Sequence, residues 1–520
     1  MNRRKIFIKN ALILSSVSII MRGISVSFNA YVNNKIGPES MGLFTLVMSI
    51  YGFALTLALS SVNLAAVRLT SEKCALLEGA DTTSWRAGMR RVVVSCVKYS
   101  LIFSLSTGIV VYSFAEFIAN YLLNDVRTVI SLKVLALTLP AISVSSAISG
   151  YFTGLRKVSK NAVIAFSEQF IKIVVTSTAL VLISPGNVES ACVAVVGGAA
   201  ISEAFSLVLN IIMYLFDSKL PFGAKQGSRR ITLITKLSDV VSISLPSALG
   251  TYARQGLTTL EHLEIPKGLR KSGLSEASAL SAYGLMQGIA LPLVMFPYAV
   301  IGSFTSLLIP EIAEKKELSD SRGIKELTRK VFYYSATFSV CACGIFTNYA
   351  RELGTMVYSS SEAVGYTIAL GLLVPFMYLD TAVDSLLKGI GEQVYTMKVN
   401  IVDAASGLIL VMVLTPKFGM MGYLITVWIC EIGNLSASIG KLSKVTGVSI
   451  REALSNYIRP ALAVIFLTIL KHTVLSDLNA VLSMTVFVLI YLLLVFRKEK
   501  RLAYSKSQMI RGGIEPPFTP

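Results

Sequence analysis

The sequence predicts an all-α polytopic membrane protein of about 14 transmembrane helices, arranged as two pseudo-symmetric six-helix lobes followed by two further helices. Three observations carry that expectation. Of 520 residues, 53% are hydrophobic and only 15% charged, with a mean hydropathy of +0.66, whereas an ordinary soluble domain is about 25% charged. Apolar runs matching the roughly 20 residues of a helical span recur along almost the whole chain with short connections. The basic residues alternate between connections as an oriented bundle requires.

In order, the first lobe is expected to hold spans over 7–31, 41–66, 92–118, 131–152, 161–183 and 190–216. The second is expected to hold 238–260, 278–309, 331–349, 363–386, 399–415 and 420–440, followed by 459–475 and 478–496. The first run, behind MNRRKIFIKN, exceeds a signal core and leads directly into a second apolar hairpin, so it reads as an uncleaved span. Connections assigned to the cytoplasm hold 35 Lys and Arg against 8 in the opposite ones, and Arg22, Lys98, Lys133, Lys172 and Arg254 fall inside spans. One span wrongly added mid-chain would collapse that bias, which places both termini in the cytoplasm. The net charge of +18 therefore reports topology and gives no reason to expect nucleic acid. One outer connection departs from the pattern: EHLEIPKGLRKSGLSEAS carries Lys267, Arg270 and Lys271, offset by Glu261, Glu264 and Glu276, and is expected to form a short surface helix.

The expected domains are a first lobe over 1–228, a second over 229–450, two extra helices over 451–500 and a disordered cytoplasmic tail over 501–520, where apolar content is too low to fold. An internal duplication is expected to relate the lobes, with chance recurrence of glycine, frequent in membrane helices, as the alternative. Glu168 follows Gly154 by 14 residues as Asp403 follows Gly389, both pairs being offset by 235, and Gly42-Leu43 finds Gly284-Leu285 at an offset of 242.

Several chemistries are excluded by what is missing. Six cysteines without a CxxC pair indicate neither a disulfide framework nor a zinc site, and two histidines are too few for the usual haem or metal enzyme. No GxxxxGK[ST] loop or GxSxG elbow is present. An enzyme is not expected and no cofactor is implied; energy would come from a proton or sodium gradient, or from metabolism of the transported compound.

Ionisable residues inside spans are the functional candidates, because charge in the hydrocarbon layer costs several kcal/mol. Arg22 lies midway along span 1 and Arg254 in the outer half of span 7, the matching helix of the second half. Guanidinium groups in a shared cavity would bind phosphate or another anion in bidentate fashion; alternatively each neutralises a local acid or bonds a broken-helix carbonyl. Glu168, Glu203, Asp403 and Glu431, with Asp380 and Asp384, are candidates for proton or sodium coupling, or counter-ions to the arginines. Asn29 and Asn33 are candidate sugar contacts, with interhelical hydrogen bonding as the alternative. Pro292 and Pro297 make span 8 the expected bent element.

The stretches NNKIGPESMGLFTLVMSIYGF, GYFTGLRKVSKNAVIAFSEQFIKI and LSAYGLMQGIALPLVMFPYAVIGSFTSLLIPEIAE resemble the stage V sporulation protein B group of polysaccharide biosynthesis proteins. That group sits within the multidrug/oligosaccharidyl-lipid/polysaccharide (MOP) flippase superfamily, and the resemblance covers about residues 5–500. It implies a bacterial inner-membrane protein with an architecture similar to lipid II flippases and MATE exporters, which moves undecaprenyl-pyrophosphate-linked saccharide across the membrane by alternating access. It further implies that Arg22 and Arg254, which match by helix and depth, meet the pyrophosphate, and that spans 13 and 14 receive the prenyl tail. Implied partners are the polyprenyl-linked saccharide, membrane lipids and cell-wall synthases. Two other readings stand beside it: a cation-coupled multidrug exporter, in which the acids rather than the arginines serve the cavity, and a non-transporting scaffold for cell-wall synthesis.

Overall fold

The computed structural model describes residues 3–77, 82–182, 188–219, 235–473 and 478–511, and among these every regular element is a helix. In chain order they are α1 (Arg3–Leu59), α2 (Val62–Leu76), α3 (Thr82–Ser113), α4 (Ala115–Phe117), α5 (Val129–Gly154), α6 (Val158–Leu182), α7 (Val188–Lys219), α8 (Leu237–Lys271) and α9 (Glu276–Gly284). There follow α10 (Leu291–Met295), α11 (Tyr298–Glu317), α12 (Ser321–Asn348), α13 (Ala350–Tyr358), α14 (Val364–Ile390), α15 (Gln393–Phe418), α16 (Met420–Thr446), α17 (Ile450–Thr473) and α18 (Ala480–Arg511). Among the described residues 10 segments are long and apolar enough to cross a membrane. The first, Ile20–Leu76, contains two predicted spans run together, and the predicted spans on α8, α12 and α18 fall outside this count, so it is compatible with the predicted one.

The junction of those two spans is a kink. Gly37 takes φ 76°, ψ 167° inside α1 and Pro38 starts the second leg. A left-handed φ suits a residue without Cβ, and proline fits the first helical position because its missing N–H would have been unsatisfied anyway. A second break falls inside predicted span 41–66, where Ser60 and Ser61 take φ 42° and 56°. Ser60 is fully buried, its hydroxyl 2.5 Å from that of Tyr99, whose hydroxyl also bonds the Ser60 carbonyl at 3.2 Å.

Span 8 is bent where its prolines stand. A π-helical turn over Leu285–Ala290 leads into α10, and a turn at Phe296 and Pro297 separates α10 from α11. Two expectations are corrected. Residues 261–271, assigned to an outer connection with its own surface helix, continue α8 without a break. Their charges are paired locally, Lys267 with Glu264 at 3.0 Å and Arg270 with Glu276 at 3.5 Å, which removes the reason for the helix to stop. The tail is not irregular from residue 501, since α18 runs to Arg511; residues 512–520 lie outside the described residues, as does the expected lobe boundary at 228/229.

The chain divides into two units: Met1–Pro292 with Met397–Cys430, and Leu293–Thr396 with Glu431–Pro520. In the first, α5 packs against α2, α3 and α7. Gly150 and Gly154 face α2 closely: a methyl on Gly150 would lie 2.6 Å from the Ala66 methyl, and one on Gly154 2.7 Å from Thr70 Cβ. This is the small-residue spacing that lets membrane helices approach. Trp85, Met89, Tyr151 and Phe152 fill the adjoining core. Buried beside them, Asp217 accepts from Lys157 and Lys160, each at 2.6 Å, and from the Tyr151 hydroxyl at 3.2 Å.

Helices α8, α9 and α15, which the sequence places in the second lobe, belong to this first unit. Side-chain bonds tie α8 to α1, from Thr259 to the Ser49 carbonyl at 3.1 Å and from Tyr252 to the Leu57 carbonyl at 3.5 Å. The tightest contact joins α1 to α9. A methyl on Gly42 would strike the Leu280 carbonyl, and one on Gly284 would strike the Pro38 carbonyl and approach the Gly42 nitrogen at 2.8 Å. Gly42 and Gly284 are the two residues that the expected repeat pairs with each other.

In the second unit α14 is central, with Leu379, Val383, Leu386 and Leu387 buried against Val331, Phe332 and Leu442. A separate cluster of Tyr349, Leu467, Phe487 and Tyr491 packs α12, α17 and α18 together.

Candidate functional site

The first unit gathers most of the ionisable residues found within spans, in two groups. One is built on α6 and α7. Glu203, half-buried on α7, lies within electrostatic reach of Glu168 and Lys172 on α6. Glu168 and Lys172 are four residues apart and so share one face of their helix. Tyr51 of α1 feels both acids, and its hydroxyl is 2.9 Å from that of Thr138 on α5.

The second group is built on α8 and α15. Asp403, half-buried, feels Arg254 and is hydrogen-bonded to Cys430. Glu261 feels Asp403 in turn. Its carboxylate packs on Gly407, where an added methyl would lie 3.1 Å from an oxygen. Arg254 and Glu261 are two helical turns apart, and Asp403 and Gly407 one turn apart, so each pair presents a single face. Glu168 and Asp403, the counterparts in the repeat, each stand in one of the two groups.

Arg22 lies exposed on the first leg of α1 and has no ion-pair or hydrogen-bond partner among the described residues. Arg254 is exposed too, with Asp403 as its electrostatic neighbour. Asn29 donates to the Gly288 carbonyl at 3.1 Å, which gives it an interhelical role. Asn33 is 3% exposed and its side-chain oxygen has no partner among the described residues. Glu431 lies half-buried on α16, in the second unit. Lys133, read as close to the outer surface, pairs with Glu116 at 3.0 Å.

Glu261 is the residue that the sequence reading passed over, because span 7 was closed at 260. Its distance of seven residues from Arg254 was the available signal. No group of three or more His, Cys, Asp or Glu suited to a metal ion occurs among the described residues.

The second unit carries an apolar groove of about 590 Å³ between α11, α12 and α18, lined by Val300, Phe338, Cys341, Ile345, Val488 and Leu492. The resemblance led to a groove made by the last two spans; this one uses only the last of them, α18, set against α11 and α12.

The fold defines a multi-pass, all-helical membrane protein. It is similar to a solved structure described as the lipid II flippase MurJ in an inward closed conformation, with TM-score 0.66 and 15% identity, covering 94% of this chain and 100% of that one. It is also similar to an inward-facing multidrug resistance MATE family transporter of the MOP superfamily, with TM-score 0.59 and 14% identity, covering 84% of this chain and 99% of that one. The chain belongs to the family described as Polysaccharide biosynthesis protein, which matches residues 7–315. A relative in that direction is the stage V sporulation protein B of Bacillus subtilis (strain 168), 22% identical over 462 residues, 86% of each chain.

Proposed function

We propose that the protein is a flippase of the bacterial cytoplasmic membrane, with both termini cytoplasmic, that moves an undecaprenyl-pyrophosphate-linked saccharide, lipid II-like, to the outer leaflet by alternating access. The observation that carries this reading is Arg22, a cation on a membrane-spanning helix with no protein partner among the described residues. Such a group is costly in lipid and is balanced when a pyrophosphate takes its bidentate donors. Arg254 supplies the second cation, with Asp403 as its electrostatic neighbour. The groove on α11, α12 and α18 suits the prenyl tail, since it offers almost only apolar side chains. The likeness to a solved structure described as the lipid II flippase MurJ favours the same substrate class. Glu168 with Glu203, and Asp403 with Glu261, are the carboxylate pairs that would take up a proton or sodium ion to drive the cycle.

The acid groups also favour a second reading, cation-coupled export of an organic solute. Both readings are tested by reconstituting the protein in liposomes with a fluorescent undecaprenyl-pyrophosphate disaccharide and measuring leaflet accessibility under proton or sodium gradients. Protein-dependent translocation that is lost in Arg22→Ala and Arg254→Ala supports the flippase. Folded protein without translocation under any gradient refutes it, and gradient-driven efflux of a cationic dye, lost only in the acid variants, moves the assignment to the exporter.

A further inference from the structure

The connection between α3 and α5, residues 114–128 in the first unit, carries its apolar side chains on the outside. Phe117, Tyr121 and Val126 are 52%, 69% and 67% exposed, and Phe114 is exposed beside them, while Asp125 and Thr128 are buried. Phe117 closes the short α4, and a π-helical turn over Ile118–Leu123 follows it. Ala115, Ala119 and Leu123 are the buried residues of this stretch, and on its exposed side the rings of Phe117 and Tyr121 stand 4.9 Å apart.

The polar groups are folded inward. The Asp125 carboxylate accepts from the Arg127 backbone nitrogen at 2.9 Å and from its guanidinium at 2.6 Å, and the Thr128 hydroxyl donates to the Asp125 carbonyl at 2.8 Å. The same guanidinium reaches Glu39, next to the kink of α1, at 3.5 Å. A connection lying in water would present these groups and cover its rings; large apolar side chains exposed together mark a surface that meets an apolar neighbour.

Two helices give the depth of this patch. From Arg91, exposed near the basic end of α3, to Tyr112 the chain covers about 32 Å at the helical rise. From Gly154, where α5 ends just before the exposed Arg156, back to Lys133 the distance is again about 32 Å. Both match the roughly 30 Å of a hydrocarbon core. They end at a single contact: the Lys133 ammonium lies 5.9 Å from the centre of the Tyr112 ring and pairs with Glu116 at 3.0 Å. The edge of the hydrocarbon therefore passes through that contact, and the exposed rings lie at headgroup level. Ile102, Leu105 and Ile109 are exposed at spacings of three and four along α3, and Tyr112 continues their stripe. The patch is thus continuous with the face that α3 shows to lipid.

We propose that residues 114–126 form an interfacial anchor, with Phe117, Tyr121 and Val126 entering the glycerol and upper acyl region of one leaflet and Glu116 and Lys133 at its polar edge. The leaflet is the one opposite the basic ends of α3 and α5, the outer one in the topology proposed above. Aromatic rings favour this layer, and a tyrosine there keeps its hydroxyl wet while its ring is in lipid. The inference rests on depth and exposure, and it is independent of the transported compound.

The test uses the full chain with Phe117 or Tyr121 replaced by para-benzoylphenylalanine, which keeps an aromatic side chain and on irradiation bonds to a C–H group lying against it. Ile109, on the lipid-facing stripe, is replaced in the same way as a reference. The proteins are irradiated in native membranes and in vesicles of phosphatidylcholine and phosphatidylglycerol, and the adducts are identified by mass spectrometry. Phospholipid adducts at both positions, as at Ile109, are the expected result. Adducts to protein alone, whether this chain or another, overturn the proposal, as does the loss of lipid adducts at both positions while Ile109 retains them. Tyr121→Trp gives a second reading that needs no photochemistry, because the emission it adds to that of Trp85 and Trp428 reports depth. Quenching of that added emission should be stronger with phosphatidylcholine brominated close to the ester than with one brominated near the chain ends. Quenching by aqueous acrylamide alone, or strongest from the chain ends, overturns the anchor even where the photoadducts fail to form.

Discussion

The contact between Gly42 and Gly284 makes a quantitative demand on the helices that carry it. Replacing Gly284 by alanine puts a methyl against the Pro38 carbonyl and 2.8 Å from the Gly42 nitrogen, and both are backbone atoms that no rotamer change can move. Relief requires α1 and α9 to part. Overpacking of this kind costs about 1–3 kcal/mol, set against a helix-propensity gain of up to ~1 kcal/mol for glycine to alanine. A glycine in open space shows that gain alone: Gly433, inside α16, has nothing within 4 Å of an added methyl. Thermal unfolding of the purified protein in detergent should therefore show Gly284→Ala and Gly42→Ala each lowering the midpoint, while Gly433→Ala leaves it unchanged or higher. The double variant should lose less than the two singles together, because once the helices have parted the second methyl finds room. Unchanged midpoints for both singles, or strict additivity in the double, would refute the close approach.

Asp217→Asn removes the acid that Lys157 and Lys160 share at 2.6 Å; breaking a buried pair in this way costs about 3–5 kcal/mol, the lower end being expected because the lysines are part-exposed, and the midpoint and yield should both fall. Gly37→Ala forces a Cβ into φ 76°, ψ 167°, a region essentially restricted to glycine, at a cost of about 1–3 kcal/mol, again read as a lower midpoint. Arg329→Ala, by contrast, removes an exposed partner of Glu452 2.7 Å away and should leave the midpoint where it was, since such pairs contribute little. Asp403→Asn should abolish the response of transport to an imposed cation gradient, and Arg22→Ala transport itself, when both are measured in the same liposomes.

Much of this architecture is legible in the residues, because a hydrocarbon layer demands long apolar runs and the basic residues record which way each crosses. Pro292 and Pro297 announce the bend in span 8 by the hydrogen bonds they cannot make. The breaks at Gly37 and at Ser60-Ser61 are less legible: serine in a left-handed conformation carries no compositional mark, and only its burial against Tyr99 shows why it is held there. Glu261 is misread for a related reason. Hydropathy counts it as the end of a span, whereas the ion pairs beyond it let α8 continue. The acids and arginines are found by being charged in apolar surroundings, but their grouping depends on which helices adjoin, and the allocation of α8 and α15 to the first unit is written in backbone contacts that no linear pattern reveals.

The meeting of Gly42 with Gly284 bears on the history of the gene. If a half-length ancestor once formed a two-fold dimer, a residue on the axis touched its own copy, and one codon governed both sides of the contact. A single change then altered the contact twice over, which keeps such a position small. On that history, fusion of two copies would uncouple the codons and leave each glycine answering to a different neighbour, Gly42 to Leu280 and Gly284 to Pro38. The two sides are free to diverge in everything except size, and the first compensated pair of substitutions across this contact becomes accessible only after fusion.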